Sequence, residues 1–556
     1  MEMIEQKLER VLQKVQKPAR YTGGEYNQVV KNINDVNVRI AFCFPDTYEI
    51  GMSNLGMRIL YGVFNSIEDV WCERVFSPWT DMESEMRENN IPLYGLESYD
   101  PINSFDMIAF SLGYELSYTN VLNMLDLTGI PLRSKDRGDD HPLVIAGGAC
   151  CYNPGPMSDF IDLFVIGEGE EAVVELVEIF KASSGKSDFL IRAAKLDGIY
   201  IPALIEKCKI PVVKRIINYL DGSYYPLNPI VPSTGIIHDR AMLELFRGCI
   251  RGCKFCQAGH TGNPVRSRSP DVLLEQGKAV IANTGYDELS LLSLSTSDYE
   301  HLDELCEKLL SWCEPEHVNL SLPSLRADNF NIDLMRRVQK VRKSGLTFAP
   351  EAGSQRLRDK INKNITEEDL LNACEIAFEG GWNSVKLYFM LGLPTETDED
   401  IKAIADISHE VHNVWKKCTG SKKRGVRITV STSCFIPKPH TAFQREAQIP
   451  ISEYMRRVDL LKNSIRSRSI TYNWHSPQQG YIEAALSRGD RKLSDVIEKA
   501  WRSGSRLDSW SEYFLFDNWM NAFDECSIDP DHYTVRERAN DEELPWNIIN
   551  VRGCCS

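Results

Sequence analysis

Three cysteines within eight residues, Cys249-x-x-x-Cys253-x-x-Cys256, form a compact set of soft ligands. Thiolates in such a set suit zinc or an iron–sulfur cluster. A [4Fe–4S] cube whose irons are all held by protein takes four cysteines. Three thiolates leave one iron for a small molecule, which points to a reactive cluster rather than an electron relay. Two other readings compete. Structural zinc closes with four ligands, commonly in two separated pairs, and the nearby fourth here is His260. A disulfide requires an oxidising compartment. Residues 1–17 instead carry a helical stripe, Ile4, Leu8, Val11, Leu12 and Val15, unlike a secretory signal.

Such a loop needs a frame. From residue 236 to 450 strands alternate with helices: Leu243–Leu245, Glu288–Leu294, Val318–Leu322, Thr347–Ala349, Val385–Met390 and Ile428–Ser433. The cysteine loop follows the first of these strands, at the carboxyl end where parallel barrels place their chemistry. A second alternating set lies upstream, with strands at Val38–Phe44, Met107–Leu112, Leu143–Gly148 and Leu163–Ile166. Ser53 is the expected N-cap of a helix running to about Asn65, and Gly167–Glu171 opens another. This is the pattern of a doubly wound parallel sheet, whose ligands sit beyond the carboxyl ends of the strands. Gly51, Gly113, Gly147, Gly148, Gly167 and Gly169 lie there. Residues 451–556 read mainly helical, with apolar spacing at Met455, Val458, Leu461 and Ile465 and with Trp501, Trp510 and Trp519 as core positions. The expected organisation is an N-terminal helix (1–20), a doubly wound domain (21–185), a linker (186–235), a barrel-like core (236–450) and a helical C-terminal region (451–556).

At 556 residues the chain exceeds one hydrophobic core, and its formal net charge of −16 argues against a nucleic-acid-binding surface. A local basic patch could form around Lys254, Arg266 and Arg268; the run Lys416, Lys417, Lys422, Lys423 and Arg424 reads as a solvated loop. No apolar run is long enough to span a bilayer, and most of the 16 cysteines are scattered singly, as in reduced proteins. A cytoplasmic location is expected.

The C-x3-C-x2-C spacing, with Phe255 just before the last cysteine, resembles the signature of the radical S-adenosylmethionine (SAM) superfamily. Almost the whole chain is similar to one uncharacterised cobalamin-type family within it. The matching segments are Pro45–Asn65, Ser111–Leu127, Asp159–Glu171, His238–Gly259, Ala349–Lys363 and Ser487–Trp501. The resemblance implies a flavodoxin-like cobalamin-binding domain, a partial (β/α)6 barrel, and a [4Fe–4S] cluster on Cys249, Cys253 and Cys256. It assigns SAM contacts to Phe255, Ser295, Thr296, Glu351 and Gly392. Cobalamin contacts fall on Asp46, Tyr48, Gly51, Ser111, Gly147, Gly148, Gly167, Glu168 and Gly169. Many cobalamin proteins carry Asp-x-His-x-x-Gly, where this chain has Asp46-x-Tyr48-x-x-Gly51, so no cobalt-ligating histidine is expected from that loop. The implied activity is reductive SAM cleavage for cobalamin-dependent methylation of an unactivated carbon, with an external one-electron reductant. The alternatives are radical chemistry without a corrinoid, such as sulfur insertion, and a non-catalytic iron–sulfur protein. Sulfur insertion usually needs a second cluster, and no second compact three-cysteine motif occurs.

Family members often carry a partner domain, fused or as a separate protein. Pro545–Ser556 departs from that continuation, and Gly259–Pro264 departs from the more usual basic-aromatic sequence after the cluster. Lys438 and His440, after the sixth strand, could serve the substrate or form an exit loop. Arg488 and Arg491 could grip an anion or cap helices.

Overall fold

The computed structural model describes residues 4–204, 211–322, 346–419 and 425–551. Lys422, Lys423, Arg424 and the Cys554–Cys555 pair lie outside the described residues. The N-terminal sheet holds β1 (Val38–Phe44), β2 (Val70–Phe76), β3 (Met107–Ser111), β4 (Leu143–Gly147), β5 (Leu163–Val165) and β6 (Ile199–Tyr200), in the order β2-β1-β3-β4-β5-β6. The first five strands are parallel and β6 is antiparallel to β5. β1 is buried throughout, as expected of a strand covered on both faces. The chain leaves β1 in two directions, toward β2 and toward β3, so a crevice opens at the carboxyl ends of β1 and β3.

β2 had no counterpart in the sequence reading, because its centre is Glu73-Arg74. Both charges are buried by pairing. Glu73 accepts from Arg39 at 2.5 Å, and Arg74 lies 2.7 Å from both Glu25 and Glu97. The helix expected from Ser53 starts at Leu55 and is capped by Asn54, whose side chain accepts from Met57 N at 2.9 Å. Ser53 instead ends a short helix, Tyr48–Met52, and donates to Glu49 O. Residues 186–235, expected as a linker, supply the helix Lys186–Ala193, β6 of the first sheet, and β7 (Val212–Val213). Two-residue strands carry no readable periodicity.

β8 (Ala241–Glu244) opens the second unit. A two-residue antiparallel pair, β9 (Phe246–Arg247) and β10 (Arg266–Ser267), then encloses the three-cysteine loop. β11 (Glu288–Leu292) and β12 (Asn319–Ser321) complete an arc ordered β12-β11-β8. A second arc runs β13 (Leu346–Glu351), β14 (Ser384–Leu391), β15 (Arg427–Cys434), β16 (Ile470–Trp474), and both arcs are parallel. All six expected strands are present. β16 adds a seventh from a stretch read as helical, and β17 (Ile549–Asn550) pairs with β7.

The C-terminal helices fold back on the first unit. Trp501 Nε1 donates to Asn123 Oδ1 at 3.4 Å, Trp510 Nε1 donates to Asp46 Oδ1 at 3.0 Å, and Trp519 is fully buried. Asp508 lies in the same seam. It accepts from Thr119 Oγ1 at 2.6 Å and is otherwise enclosed. Burial therefore pushes its carboxyl up to about 6 from the ordinary 3.8. A folded pKa above the unfolded one means that ionisation favours the unfolded chain, so this group costs stability as pH rises from about 4 to 6. The cost above pH 6 is about 3 kcal/mol, at about 1.4 kcal/mol per pKa unit. Asp508→Asn is expected to remove that loss, so that thermal midpoints at pH 5 and pH 7.5 lie closer together than in the parent protein.

Candidate active site

The cysteine loop is tied down at several points. Gly248, with φ of +90°, starts it; a Cβ there would sit 2.9 Å from Pro264 O. Cys249 N donates to Asn263 Oδ1 at 3.3 Å, and Asn263 Nδ2 donates to Gly259 O at 2.8 Å. Cys256 caps the helix Gln257–Thr261, its sulfur accepting from Gly259 N at 3.4 Å. The barrel holds the other side. Asn362 Nδ2 donates to Arg251 O and Gly252 O at 3.1 and 3.0 Å, Lys254 N donates to Ile361 O at 3.0 Å, and Arg251 Nε donates to Asp298 Oδ2 at 2.7 Å. Lys214 reaches across from the segment before β8. Its ammonium donates to Thr261 O at 2.7 Å and to Asn263 O, and burial lowers its pKa to about 8.

A single zinc ion would draw its ligand atoms to about 3.8 Å from one another, given Zn–S bonds of about 2.3 Å in a tetrahedron. Among the described residues, one group of three ligand atoms lies within 4.8 Å of one another: Glu375, Glu379 and Cys418, away from this loop. The three loop thiols and His260 form no such group. Cys253 is buried and Cys249 and Cys256 are half-buried, a donor set of three thiolates spread over a fixed loop. That set suits a cluster, in which each thiolate takes its own iron.

Four of the five expected SAM positions sit around this loop. The Phe255 ring lies 6.0 Å from Lys363 Nζ, and Lys363 pairs with Glu351 at 3.0 Å. Phe255 packs on the apolar group of Ala352, Met390, Leu393 and Phe435. Glu351 ends β13 at a bulge with φ of +68°, a conformation rare outside glycine and concentrated at functional positions. Ser295 Oγ is buried without a hydrogen-bond partner, and Thr296 opens the turn whose Asp298 holds Arg251. The fifth is Gly392. The face a Cβ would take is filled by Ile449 at 2.8 Å, and its N–H donates to Glu396 at 2.7 Å. One side of Gly392 is thus packed against Ile449 in the barrel wall. Burial raises Glu396 to about 7, although Gly392 N and Arg457 favour its ionised form. Glu351→Ala is expected to weaken SAM binding by about tenfold, or about 1.4 kcal/mol, with iron content unchanged. Equilibrium dialysis of SAM against the reconstituted variant measures this.

A cavity of about 640 Å³ opens at the carboxyl ends of β1, β3, β4 and β5. Ser111, Gly147, Gly148, Gly167, Glu168 and Gly169 line it, so six of the nine expected cobalamin positions converge. Its floor is apolar, with Phe42, Ile59, Phe64 and Ile145, and its far wall includes Glu244 and Arg247 of the second unit. An added Cβ on Gly113, another lining residue, meets nothing within 4 Å. Two glycines face backbone instead of ligand: a Cβ would come within 2.6 Å of Leu112 O at Gly148 and 2.3 Å of Arg215 O at Gly167. The other three expected positions lie elsewhere. Asp46 accepts from Trp510 and Ser509, and buried Tyr48 donates to Glu25 at 2.8 Å. Gly51 abuts the Phe76 ring and lines a separate cavity of about 430 Å³. The C-terminal region thus covers Asp46, while Tyr48 and Gly51 pack within the first unit.

Lys438 is held between Glu115 and Glu483, 2.8 Å from each, which raises its pKa against the effect of burial. His440 has φ of +63°, and its Nε2 lies 2.9 Å from Tyr152 O, so that nitrogen carries the proton. Burial lowers the imidazole to about 4, leaving it neutral at physiological pH. Arg488 is fully buried and donates to Thr534 O; Arg491 Nε donates to Asp159 at 2.6 Å. Glu115, Glu483 and Lys363 went unnoticed in the sequence because their partners lie far along the chain and no spacing marks them.

Residues 56–202 match the family described as radical SAM proteins, N-terminal, and residues 243–407 match the radical SAM superfamily. An uncharacterised protein of Methanocaldococcus jannaschii, MJ0966, is 31% identical over 88% of this chain and 97% of its own length. A putative methylthiotransferase of the same organism, MJ0865, is 24% identical over 72% of this chain and 79% of its own. Among solved structures, the radical SAM methyltransferase TsrM of Kitasatospora setae, with cobalamin and a [4Fe–4S] cluster bound, superposes with a TM-score of 0.54. That match has 12% identity and covers 84% of this chain and 99% of that one. The cobalamin-dependent radical SAM enzyme OxsB, with aqua-cobalamin bound, gives 0.52 and 12%, over 94% and 77%. These likenesses establish the fold: a doubly wound sheet, a radical SAM barrel and a helical C-terminal region. No helix among the described residues is long and apolar enough to cross a membrane.

Proposed function

This chain belongs to the radical SAM superfamily, and from that premise we propose that it is a cobalamin-dependent radical SAM methyltransferase acting on an unactivated carbon. One observation carries the reading. The cavity that gathers the expected corrinoid contacts shares Arg247 with the strand that leads into Cys249, so both cofactor sites meet at one seam. Apolar walls and side-chain-poor strand ends suit a bulky macrocycle with an aromatic tail. Cys249, Cys253 and Cys256 would hold the cluster, and the Gly113–Gly147–Gly169 side of the cavity would hold the corrinoid. When bound, the cluster and SAM supply a carbon-centred oxidising radical, and the corrinoid supplies a methyl group.

The chain's own residues orient and shield. Glu351 offers a carboxylate to the ribose hydroxyls, with Lys363 limiting its charge. The buried Ser295 hydroxyl is available to the SAM amino or carboxylate group. Phe255 and its apolar neighbours exclude water, which protects a radical from quenching. Neutral His440, held on Tyr152 O, presents an acceptor nitrogen near the junction of the two units. The buried Lys438–Glu115–Glu483 group ties the loops after β3 and β15 to the helix Pro477–Arg488. Residues 21–200 and 236–474 are taken as the two cofactor-bearing units, and an external one-electron reductant is required. A separate partner protein is a candidate, and the cytoplasm is the setting that reduced thiols favour.

The test is anaerobic reconstitution with iron and sulfide, followed by SAM and dithionite. We expect 5′-deoxyadenosine and methionine in equal amounts, one electron being consumed per SAM. A protein that binds its cluster fully yet cleaves no SAM would be an iron–sulfur binding protein instead.

A further inference from the structure

The cysteine loop begins and ends on one strand pair. β9 carries Arg247, two residues before Cys249, and β10 carries Arg266, its cross-strand partner. Both guanidiniums reach out of the barrel to the Gly167-Glu-Gly-Glu170 turn after β5. Arg266 Nη1 lies 2.7 Å from each carboxylate oxygen of Glu168. Arg247 Nη2 lies 2.6 Å from Glu170, and its Nη1 lies 3.6 Å from Glu168. Ile217 N adds a second hydrogen-bond donor to Glu168 at 2.6 Å. All four side chains are shielded, with Arg266 9% and Glu170 9% exposed. Glu170 also stands in the first turn of the helix Glu170–Lys181, where a carboxylate is favoured. The backbone contact at Gly167 fixes the turn, so the two carboxylates are aimed at the barrel by a rigid element. Glu168, Glu170 and Arg247 all line the 640 Å³ cavity.

We propose that Glu168 and Glu170 are positioning residues: they clamp both ends of the cluster loop to the cavity wall, so that a corrinoid in the cavity is sensed at the cluster. The sensing half rests on the corrinoid reading above; the clamp itself does not. Charge-assisted pairs at this spacing are short and directional. A ligand that shifts the turn moves Arg247, and through two residues of backbone it moves the first cluster ligand. Reaction geometry is sensitive to displacements of about 1 Å.

The experiment uses the full chain, its cluster reconstituted with ⁵⁷Fe, as parent, as Glu168→Gln/Glu170→Gln, and as Glu168→Asp/Glu170→Asp. Two quantities are read: the rate of iron loss to a chelator, and the Mössbauer spectrum of the SAM-loaded cluster with and without hydroxocobalamin. The Gln pair is expected to bind the parent's complement of iron but to lose it roughly fivefold faster, as removing one partner of a shielded ion pair loosens the other. Its spectrum is expected to be insensitive to hydroxocobalamin, whereas the parent spectrum changes. The Asp pair, which keeps both charges, is expected to recover much of both properties. Parent-like iron loss and a parent-like response in the Gln pair would overturn the proposal. If the parent retains no hydroxocobalamin, the corrinoid reading and the sensing half fail, and equal chelator rates would then overturn the clamp as well.

Discussion

Cys253→Ala is expected to abolish reductive SAM cleavage, lowering 5′-deoxyadenosine formation by about 1,000-fold or more, equivalent to about 4 kcal/mol at about 1.4 kcal/mol per decade. Cys253 is the buried member of the three. A cluster held by the remaining two thiolates would expose a second iron to solvent and lose iron. The fold should survive, because the loop is also held by Asn263, Asn362 and Lys214 through contacts that do not involve the sulfur. Iron analysis, circular dichroism and product chromatography on the same sample separate these effects. A Cys253→Ala protein that still formed 5′-deoxyadenosine at the parent rate would move the cluster away from this loop.

The second large effect is at the cavity. Gly113 lines it, and a Cβ there meets open space. Gly113→Trp therefore starts a bulky side chain from an open position on the cavity's lining. Corrinoid affinity is expected to fall about 100-fold, or about 2.7 kcal/mol, while cluster content and abortive SAM cleavage stay within twofold of the parent. Retained corrinoid is read by absorbance after gel filtration. Unchanged retention would mean that the corrinoid, if bound, lies outside this cavity.

Much of this architecture was legible because it rests on continuous buried strands. β1, β3, β4 and β5 are apolar runs, and each barrel strand ends in a recognisable turn. The loop that carries the three cysteines was legible because its spacing is local and it follows the first barrel strand. Most of what was hidden depends on distant pairing. β2 hides behind Glu73-Arg74, whose partners are Arg39, Glu25 and Glu97. Asp46, Tyr48 and Gly51 look like a ligand loop, yet Trp510 and Ser509, more than four hundred residues later, cap Asp46. Glu168 lines the cavity its motif points to, and its pairing with Arg266 of the barrel is a distant contact that no spacing marks. Gly392 carries the positive φ its turn needs, and Ile449 fills the space a Cβ would take, so glycine there has a local reason that no motif shows.

If the crevice of the first sheet is a corrinoid site beside a SAM-cleaving cluster, the protein must retain the corrinoid. The most direct test is titration of the anaerobically reconstituted protein with hydroxocobalamin, reading the corrinoid retained after desalting. One corrinoid per chain is expected, lost in Gly113→Trp and kept in Cys253→Ala. A protein with a full cluster that retains none would contradict the corrinoid site, and would leave radical chemistry without methyl transfer from a corrinoid.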